Sequence, residues 1–169
     1  MLLISDSNIL IDISTGGLLE RMFSLPEGVG TPDILFAEEL STHHPELIDL
    51  GLKLITVDGA GVAEAYQLLS QCTGSRAPSS NDLLALMLAK QEQCPLLTGD
   101  RRLKDLACEH YPDIEVRGTL WLVERLVICR IISSDEAVQA YEKMIDDGSR
   151  LPAVEIRMQL KRLRETESH

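Results

Sequence analysis

The stretch Leu2-Leu-Ile-Ser-Asp-Ser-Asn8 begins with three consecutive apolar residues and ends in short polar ones. The apolar run predicts a buried β-strand, and the polar residues after it are typical of turns and helix caps. Further short runs of strand character follow at 53–57, 95–98 and 114–116, with amphipathic stretches between them. Buried strands that alternate with helices predict a mainly parallel sheet with helices on both faces, a three-layer α/β/α sandwich.

The segments between these strands predict helices and loops of ordinary length. We expect a break at Gly28–Pro32, a loop at 73–80, and helices over 15–24, 33–40, 62–72, 81–93, 101–109 and 120–132. Ser134 opens another helix that ends at Gly148, and Pro152 starts a last one to about Glu165. We therefore expect an α/β domain over 1–132 and a C-terminal helical hairpin over 133–169, packed on that domain or on a partner.

Charge is distributed unevenly along the 169 residues, whose net charge is −11. Residues 1–100 carry 4 basic and 14 acidic side chains, whereas residues 101–169 carry 12 and 13. This balance excludes a broad basic surface for nucleic acid, although a small basic patch in the second region is compatible with it. The acid-rich first region is better suited to cations, metals or basic partners.

The cysteines and the N-terminal segment bear on the compartment. The four cysteines form no C-x-x-C pair, and their spacing matches neither a zinc site nor a compact disulfide framework. Asp6 and Asp12 interrupt the apolar N-terminal segment, which lacks the basic start of a signal peptide. We therefore expect a cytoplasmic protein with free thiols and no membrane partner.

Acidic side chains are predicted to gather at one edge of the sheet. Asp6 and Asp100 each follow a predicted strand, and Glu38, with Glu39 beside it, and Asp82 lie on helices that start at the same edge. Crowded carboxylates repel one another unless a cation lies between them, and Mg²⁺ or Mn²⁺ prefers such oxygen ligands. Taken singly, however, each acid also suits a helix cap or a solvated helix face. The residues alone leave both interpretations open.

Four short motifs occur in order along the chain. They are Ile4-Ser-Asp-Ser-Asn-Ile-Leu-Ile11, Pro32-Asp-Ile-Leu-Phe-Ala-Glu38, Ser79-Ser-Asn-Asp-Leu-Leu-Ala-Leu-Met-Leu-Ala89 and Leu96-Leu-Thr-Gly-Asp-Arg-Arg-Leu103. In order and spacing they resemble the motifs of PIN-domain ribonucleases, and the small toxin-type members from prokaryotes in particular. The resemblance implies an α/β/α fold, one or two Mg²⁺ or Mn²⁺ ions in an acidic site, and metal-assisted hydrolysis of phosphodiester bonds, commonly in RNA. It also implies a toxin held by an antitoxin protein.

The resemblance assigns roles to particular residues. It implies a catalytic and metal-binding quartet of Asp6, Glu38, Asp82 and Asp100, with Glu38 preferred to Glu39 because Leu-Phe-Ala-Glu reproduces the run before the family glutamate. It also implies that Asn8 positions Asp6 or a water. The cations nearest to Asp100 are candidates for holding the substrate backbone, although they equally suit a solvated helix face. These cations are Arg101, Arg102 and Lys104.

Two other functions are compatible with the fold class. A haloacid-dehalogenase-like phosphohydrolase would need a second aspartate where Asn8 stands. A catalytically idle PIN-like protein would bind a partner through its last helices. Helices 120–132 and 135–165 carry apolar stripes that need to be buried, from which we expect a homodimer or a protein partner.

Overall fold

A computed structural model describes residues 1–72, 74 and 77–169. Within them five strands form one all-parallel sheet in the order β3-β2-β1-β4-β5. The strands are β1 (Leu2–Ser5), β2 (Gly28–Pro32), β3 (Lys53–Ile55), β4 (Leu96–Leu97) and β5 (Val116–Arg117). The predicted α/β/α sandwich with a parallel central sheet is confirmed.

The order of the strands reverses between β1 and β4. Ile4 of β1 pairs with Gly30 of β2 on one side and with Leu96 of β4 on the other. The chain adds β2 and β3 on one side of β1 and then crosses to add β4 and β5 on the opposite side. In open parallel sheets the carboxyl ends of the strands at such a reversal border the usual ligand crevice.

Strand β2 corrects one prediction, because Gly28–Pro32 is not a break but an inner strand of the sheet. Gly30 lies where a Cβ atom would come within 3.2 Å of Ile55 Cδ1 and 3.4 Å of the Lys53 carbonyl oxygen. A larger residue at this position would be tightly packed against the neighbouring strand. Pro32 is tolerated at the end of the strand.

The described residues divide into two compact units. The first comprises Met1–Ile9 and Pro26–Arg117, and the second comprises Leu10–Leu25 and Gly118–His169. The first contains the sheet and the following helical segments: α3 (Asp33–Leu35), which continues as a π-helical turn (Phe36–Leu40), α4 (Glu46–Leu50), α5 (Gly59–Gln71), α6 (Ser80–Glu92) and α7 (Arg101–His110). Of the predicted loop 73–80, residues 73, 75 and 76 lie outside the described residues.

The helices near the N-terminus differ from the prediction of a single helix over 15–24. Helix α1 (Ser7–Thr15) begins in the first unit and ends in the second, and α2 covers only Leu19–Met22. The reason is that Asp6, which suggested a turn, accepts a hydrogen bond from the Ile9 N–H at 3.1 Å and so starts a helix. Gly17, at φ +74°, follows the end of that helix.

The second unit holds α8 (Thr119–Ile128), α9 (Ser134–Asp146) and α10 (Ala153–Glu167) besides α2. Helix α8 ends four residues before the predicted Ile132, whereas the predicted C-terminal pair of helices is present as α9 and α10. Gln159 links all three helices, since it accepts from the Tyr141 hydroxyl at 2.5 Å and donates to the Leu120 carbonyl at 2.8 Å. A functional division between 1–132 and 133–169 stays a prediction.

A helix that crosses a bilayer must be about 20 residues long and predominantly apolar. Over the ranges 1–72, 74 and 77–169, no helix is both long enough and apolar enough to do so.

Candidate active site

Asp6 lies at the carboxyl end of β1, with 0% of the residue exposed to solvent. Its Oδ1 accepts the Ile9 N–H at 3.1 Å, and its Oδ2 accepts the hydroxyl of Thr98 from the neighbouring strand. Asp6 is therefore a helix cap, as the simpler interpretation of the sequence held. Its hydrogen bond to Thr98 also links it to the end of β4.

The electrostatic surroundings of Asp6 are unusual for a cap. The pKa of its carboxyl group is raised from 3.8 to about 7, chiefly by burial, and the hydrogen bonds from Thr98 and Ile9 offset only part of that effect. The negative charges of Asp82 and Asp100 make the smaller contributions to the same rise. A buried acid whose pKa is raised by burial and by like charges marks a candidate functional site, even where the same acid caps a helix.

Thr98 connects the two aspartates that follow strands. Its backbone N–H donates to the Arg117 carbonyl at 2.9 Å, which fixes the end of β4 against β5. Its hydroxyl donates to Asp6 and accepts the Asp100 N–H at 3.1 Å. One buried hydroxyl thus sets the position of Asp6 and of the backbone at Asp100.

Asp100 is the N-cap of α7 and forms an ion pair with Arg102. Its Oδ1 accepts the Arg102 backbone N–H at 2.9 Å and the guanidinium Nε at 3.2 Å, and Oδ2 accepts Nη2 at 3.3 Å. Only 11% of the Asp100 side chain is exposed, against 49% for Arg102. The hydrogen bonds and the charge of Asp100 raise the pKa of the Arg102 guanidinium, and the charge of Asp82 adds to this.

Asp82 lies in the first turn of α6, where its N–H donates to the N-cap hydroxyl of Ser79 at 3.1 Å. The residue is 8% exposed. Burial raises the pKa of its carboxyl group, the Ser79 hydrogen bonds oppose that shift, and the charges of Asp100 and Glu39 add to it. Asp82 is therefore both part of a helix start and under the influence of two other acids.

The π-helical turn brings both glutamates to the residues next to these aspartates. Ser7, directly after Asp6, donates its hydroxyl to Glu39 Oε1 at 3.0 Å. Asn81, directly before Asp82, donates its amide to Glu38 Oε2 at 2.8 Å. A π-turn widens the helix locally and recurs at functional sites.

The predicted substrate-binding residues lie around this group of acids. Asn8 is exposed in the first turn of α1, and Arg101 and Lys104 are exposed on α7. Arg102 pairs with Asp100 as described above. Sequence analysis missed the contacts of Ser7 and Asn81 with the glutamates, and the link through Thr98. The Thr-x-Asp pattern was the only signal for the last of these.

The first unit also has a second cleft, of about 680 Å³, lined by residues that precede β1, β4 and β5 and by parts of α6 and α7. Two of its lining residues, Lys90 and Tyr111, donate to the Glu64 carboxylate, each at 2.7 Å, and these bonds lower the pKa of Glu64. At the carboxyl edge, by contrast, the pKa values of Asp6 and Asp82 are raised.

The donor chemistry of the carboxyl edge was compared with that of a divalent metal site. Within the described ranges, no three His, Cys, Asp or Glu side chains stand close enough to form a ready-made metal cluster. The available atoms are carboxylate oxygens that Mg²⁺ and Mn²⁺ prefer, and the electrostatic coupling of Asp6, Asp82 and Asp100 favours a cation near them. The donor set therefore fits such an ion.

The model of the family described as DUF3368, PIN domain, matches residues 2–165. The chain belongs to the PIN-domain family. PIN domains are a nuclease fold and are typically dependent on divalent metals. Among curated proteins, none matches this PIN domain in sequence.

Proposed function

We propose that this PIN domain is an endoribonuclease that uses Mg²⁺ or Mn²⁺ to hydrolyse RNA phosphodiester bonds. The observation that carries the proposal is Asp6, a fully buried carboxyl group at the strand-order reversal whose pKa is raised to about 7 beside two other aspartates. A carboxylate that only caps a helix is not stabilised by like-charged neighbours. A metal ligand benefits from them, because a bound cation replaces their mutual repulsion with attraction.

The proposed metal ligands are the carboxylates of Asp6, Asp82 and Asp100 together with one glutamate of the π-helical turn. When bound, the ion would supply Lewis acidity for activating water and neutralising phosphate charge. Thr98 orients Asp6 by its hydroxyl, and Ser79 holds the start of α6 so that Asp82 keeps its position. Asp6 must lose its proton before it can serve as a ligand, so we expect Mn²⁺ affinity to rise with pH up to about pH 7, the pKa of Asp6 in the metal-free protein.

The contacts of the two glutamates favour Glu39 over Glu38 as the metal ligand. The sequence motif favoured Glu38, whose carboxylate accepts from the Asn81 amide. Glu39 instead contacts Ser7 beside Asp6, and its charge acts on Asp82. We therefore propose Glu39 as the ligand and Glu38 as the residue that keeps Asn81 and the start of α6 in place.

The proposed substrate is RNA held mainly by its phosphates. Asn8, Arg101 and Arg102 are the proposed substrate-binding residues, because they flank the acids on α1 and α7. The 14 acidic and 4 basic side chains of residues 1–100 keep non-specific affinity for RNA low. We expect weak binding that falls steeply with added salt.

The proposal also includes a partner protein that restrains the nuclease. We propose that the protein acts in the cytoplasm as the toxin of a toxin–antitoxin pair and forms a homodimer, by analogy with small PIN-domain proteins. Large apolar side chains of the second unit are exposed, among them Ile128, Val154 and Met158. Light scattering of the purified protein tests the dimer. Co-purification with a protein expressed beside it tests the antitoxin.

The activity is tested on a mixed RNA pool with Mn²⁺, Mg²⁺ or a chelator. Wild type should cleave only with a metal, and Asp82→Asn should not cleave. Asp105→Asn is the matched control, because it removes an exposed acid from helix α7 without touching the group of aspartates. Equal cleavage by wild type and Asp82→Asn would indicate a contaminating ribonuclease. Absence of both cleavage and metal binding would favour a non-catalytic interaction protein.

A further inference from the structure

The ion pair of Arg102 with Asp100 stands out among the contacts of the site. The guanidinium reaches both carboxylate oxygens, Nε to Oδ1 at 3.2 Å and Nη2 to Oδ2 at 3.3 Å. Such two-point contacts are the stronger form of the arginine–carboxylate pair. A cation that approaches Asp100 therefore meets a positive group already in contact with both of its oxygens.

The start of α7 does not depend on the Arg102 side chain. The backbone N–H of Arg102 donates to Asp100 Oδ1 at 2.9 Å, and this bond holds the start of α7 without help from the side chain. The side chain is 49% exposed, and an ion pair exposed to this degree is weaker than a buried one, so a divalent cation can compete with it for Asp100. Until such a cation binds, the negative charge of Asp82 also attracts the guanidinium towards the acids.

We propose that Arg102 is a positioning residue that serves as the resident counter-ion of Asp100 and gives way to the divalent cation when that cation binds. The inference rests on the proposed function, since it assumes that Asp100 is a metal ligand. In the metal-free protein Arg102 keeps Asp100 oriented and offsets the repulsion among the aspartates. Each binding event then includes an exchange of one cation for another, which lowers metal affinity.

The exchange is tested by titrating Mn²⁺ alone into the full chain and measuring heat. Arg102→Gln should bind Mn²⁺ about three- to fivefold more tightly than wild type, the range expected for loss of a partly exposed ion pair. Arg102→Lys keeps the charge but loses the two-point contact, so a smaller gain is expected. Arg101→Gln removes the same charge one residue away and should bind Mn²⁺ within twofold of wild type.

A spectroscopic readout follows the side chain itself. The Nε–H resonance of Arg102, identified by its loss in Arg102→Gln, should shift during a Mg²⁺ titration with the midpoint that calorimetry gives for Mg²⁺. The corresponding resonance of Arg101 should stay in place. A fixed Arg102 resonance in a protein that binds Mg²⁺ would overturn the proposal.

The outcomes separate this inference from the proposed function. Metal binding by wild type that is lost in Asp82→Asn, with no gain in Arg102→Gln, would overturn the role of Arg102 and leave the nuclease proposal standing. An equal gain in Arg101→Gln would also overturn it, because general charge would then explain the effect. Absence of metal binding in wild type and in Arg102→Gln would overturn both proposals.

Discussion

Asp6 and Asp12 lie six residues apart in the chain, yet their surroundings differ in kind. In the second unit, the Asp12 carboxylate accepts the Ser149 hydroxyl at 2.6 Å and the Thr119 hydroxyl at 3.4 Å. In the first unit, Asp6 also accepts two hydrogen bonds, but it is fully buried beside like charges. The number of hydrogen bonds therefore does not distinguish Asp12 from Asp6, the acid that we propose as a metal ligand. What distinguishes Asp6 is its full burial together with neighbouring negative charge.

The largest effect expected from this difference is on cleavage. Asp82→Asn should lower metal-dependent RNA cleavage by about a thousandfold or more, because it removes a charged group from the proposed metal site. Asp12→Asn should leave cleavage within a few-fold at temperatures where the variant is folded. Initial rates on one labelled RNA, at saturating Mn²⁺, measure both. Comparable losses in the two variants would contradict the distinction between the two acids.

Stability at different pH values should also separate Asp6 from Asp12. The folded protein keeps a proton on Asp6 up to about pH 7, whereas the unfolded chain releases it near 3.8. Stability of the metal-free protein therefore falls as pH rises between these two values. The ionisation of Asp6 lowers the free energy of unfolding by up to about 4 kcal/mol. Asp6→Asn removes this effect, but it weakens the hydrogen bonds of the side chain by about 1 to 2 kcal/mol.

At pH 8, in chelator, Asp6→Asn should accordingly be about 2 to 3 kcal/mol more stable than wild type. Asp12→Asn should be about 1 to 2 kcal/mol less stable, because it weakens two hydrogen bonds from hydroxyl groups. Urea denaturation at pH 5 and pH 8 measures both. Destabilisation by Asp6→Asn at pH 8 would mean that its role as the cap of α1 dominates.

Two buried threonines allow a third comparison, in which the expected change in stability is smaller and the two variants are more closely matched. Thr98→Val removes the hydroxyl that donates to Asp6, and Thr31→Val removes one that donates to the Ser5 carbonyl at 2.9 Å. Thr31→Val should cost about 1 to 2 kcal/mol of stability, and Thr98→Val should cost more, because it also removes the acceptor of the Asp100 N–H. The Thr98 hydrogen bond lowers the pKa of Asp6, so its loss should raise that pKa. In Thr98→Val alone, the fall in stability with rising pH should therefore continue above pH 7. The same pH shift in Thr31→Val would contradict this role of Thr98.

Much of the fold could be predicted because short apolar runs mark β-strands, including the largely exposed β3 and the half-exposed β5 at the two edges of the sheet. This holds for β1, β3, β4 and β5, whereas β2 was missed. Glycine and proline usually mark breaks, and the need for a small residue at Gly30 arises only from the neighbouring Ile55. Helix α1 was predicted only as one alternative, in which Asp6 caps a helix from Ser7, since residues that favour turns also start helices.

The acids of the site were predictable because they follow strands or open helices, which the sequence reveals. The contacts that organise them were not, because they join distant parts of the chain. Thr98 and Asp6 are 92 residues apart, and Asn81 and Glu38 are 43 apart. The pairing of Asp100 with Arg102 is different. Its partners are two residues apart, so that contact was within reach of sequence analysis.

The smallest expected effect concerns the two neighbouring glutamates of the π-helical turn. Glu39 contacts Ser7 and its charge acts on Asp82, whereas Glu38 accepts from Asn81. Glu39→Gln should therefore weaken Mn²⁺ binding about fivefold or more, and reduce the Mn²⁺-induced rise in melting temperature accordingly. Glu38→Gln keeps an oxygen that can accept from Asn81 and should change Mn²⁺ affinity less than twofold. Because both variants remove one negative charge from adjacent positions, equal weakening would indicate general electrostatics. A larger loss in Glu38→Gln would restore the assignment that the sequence motif favoured.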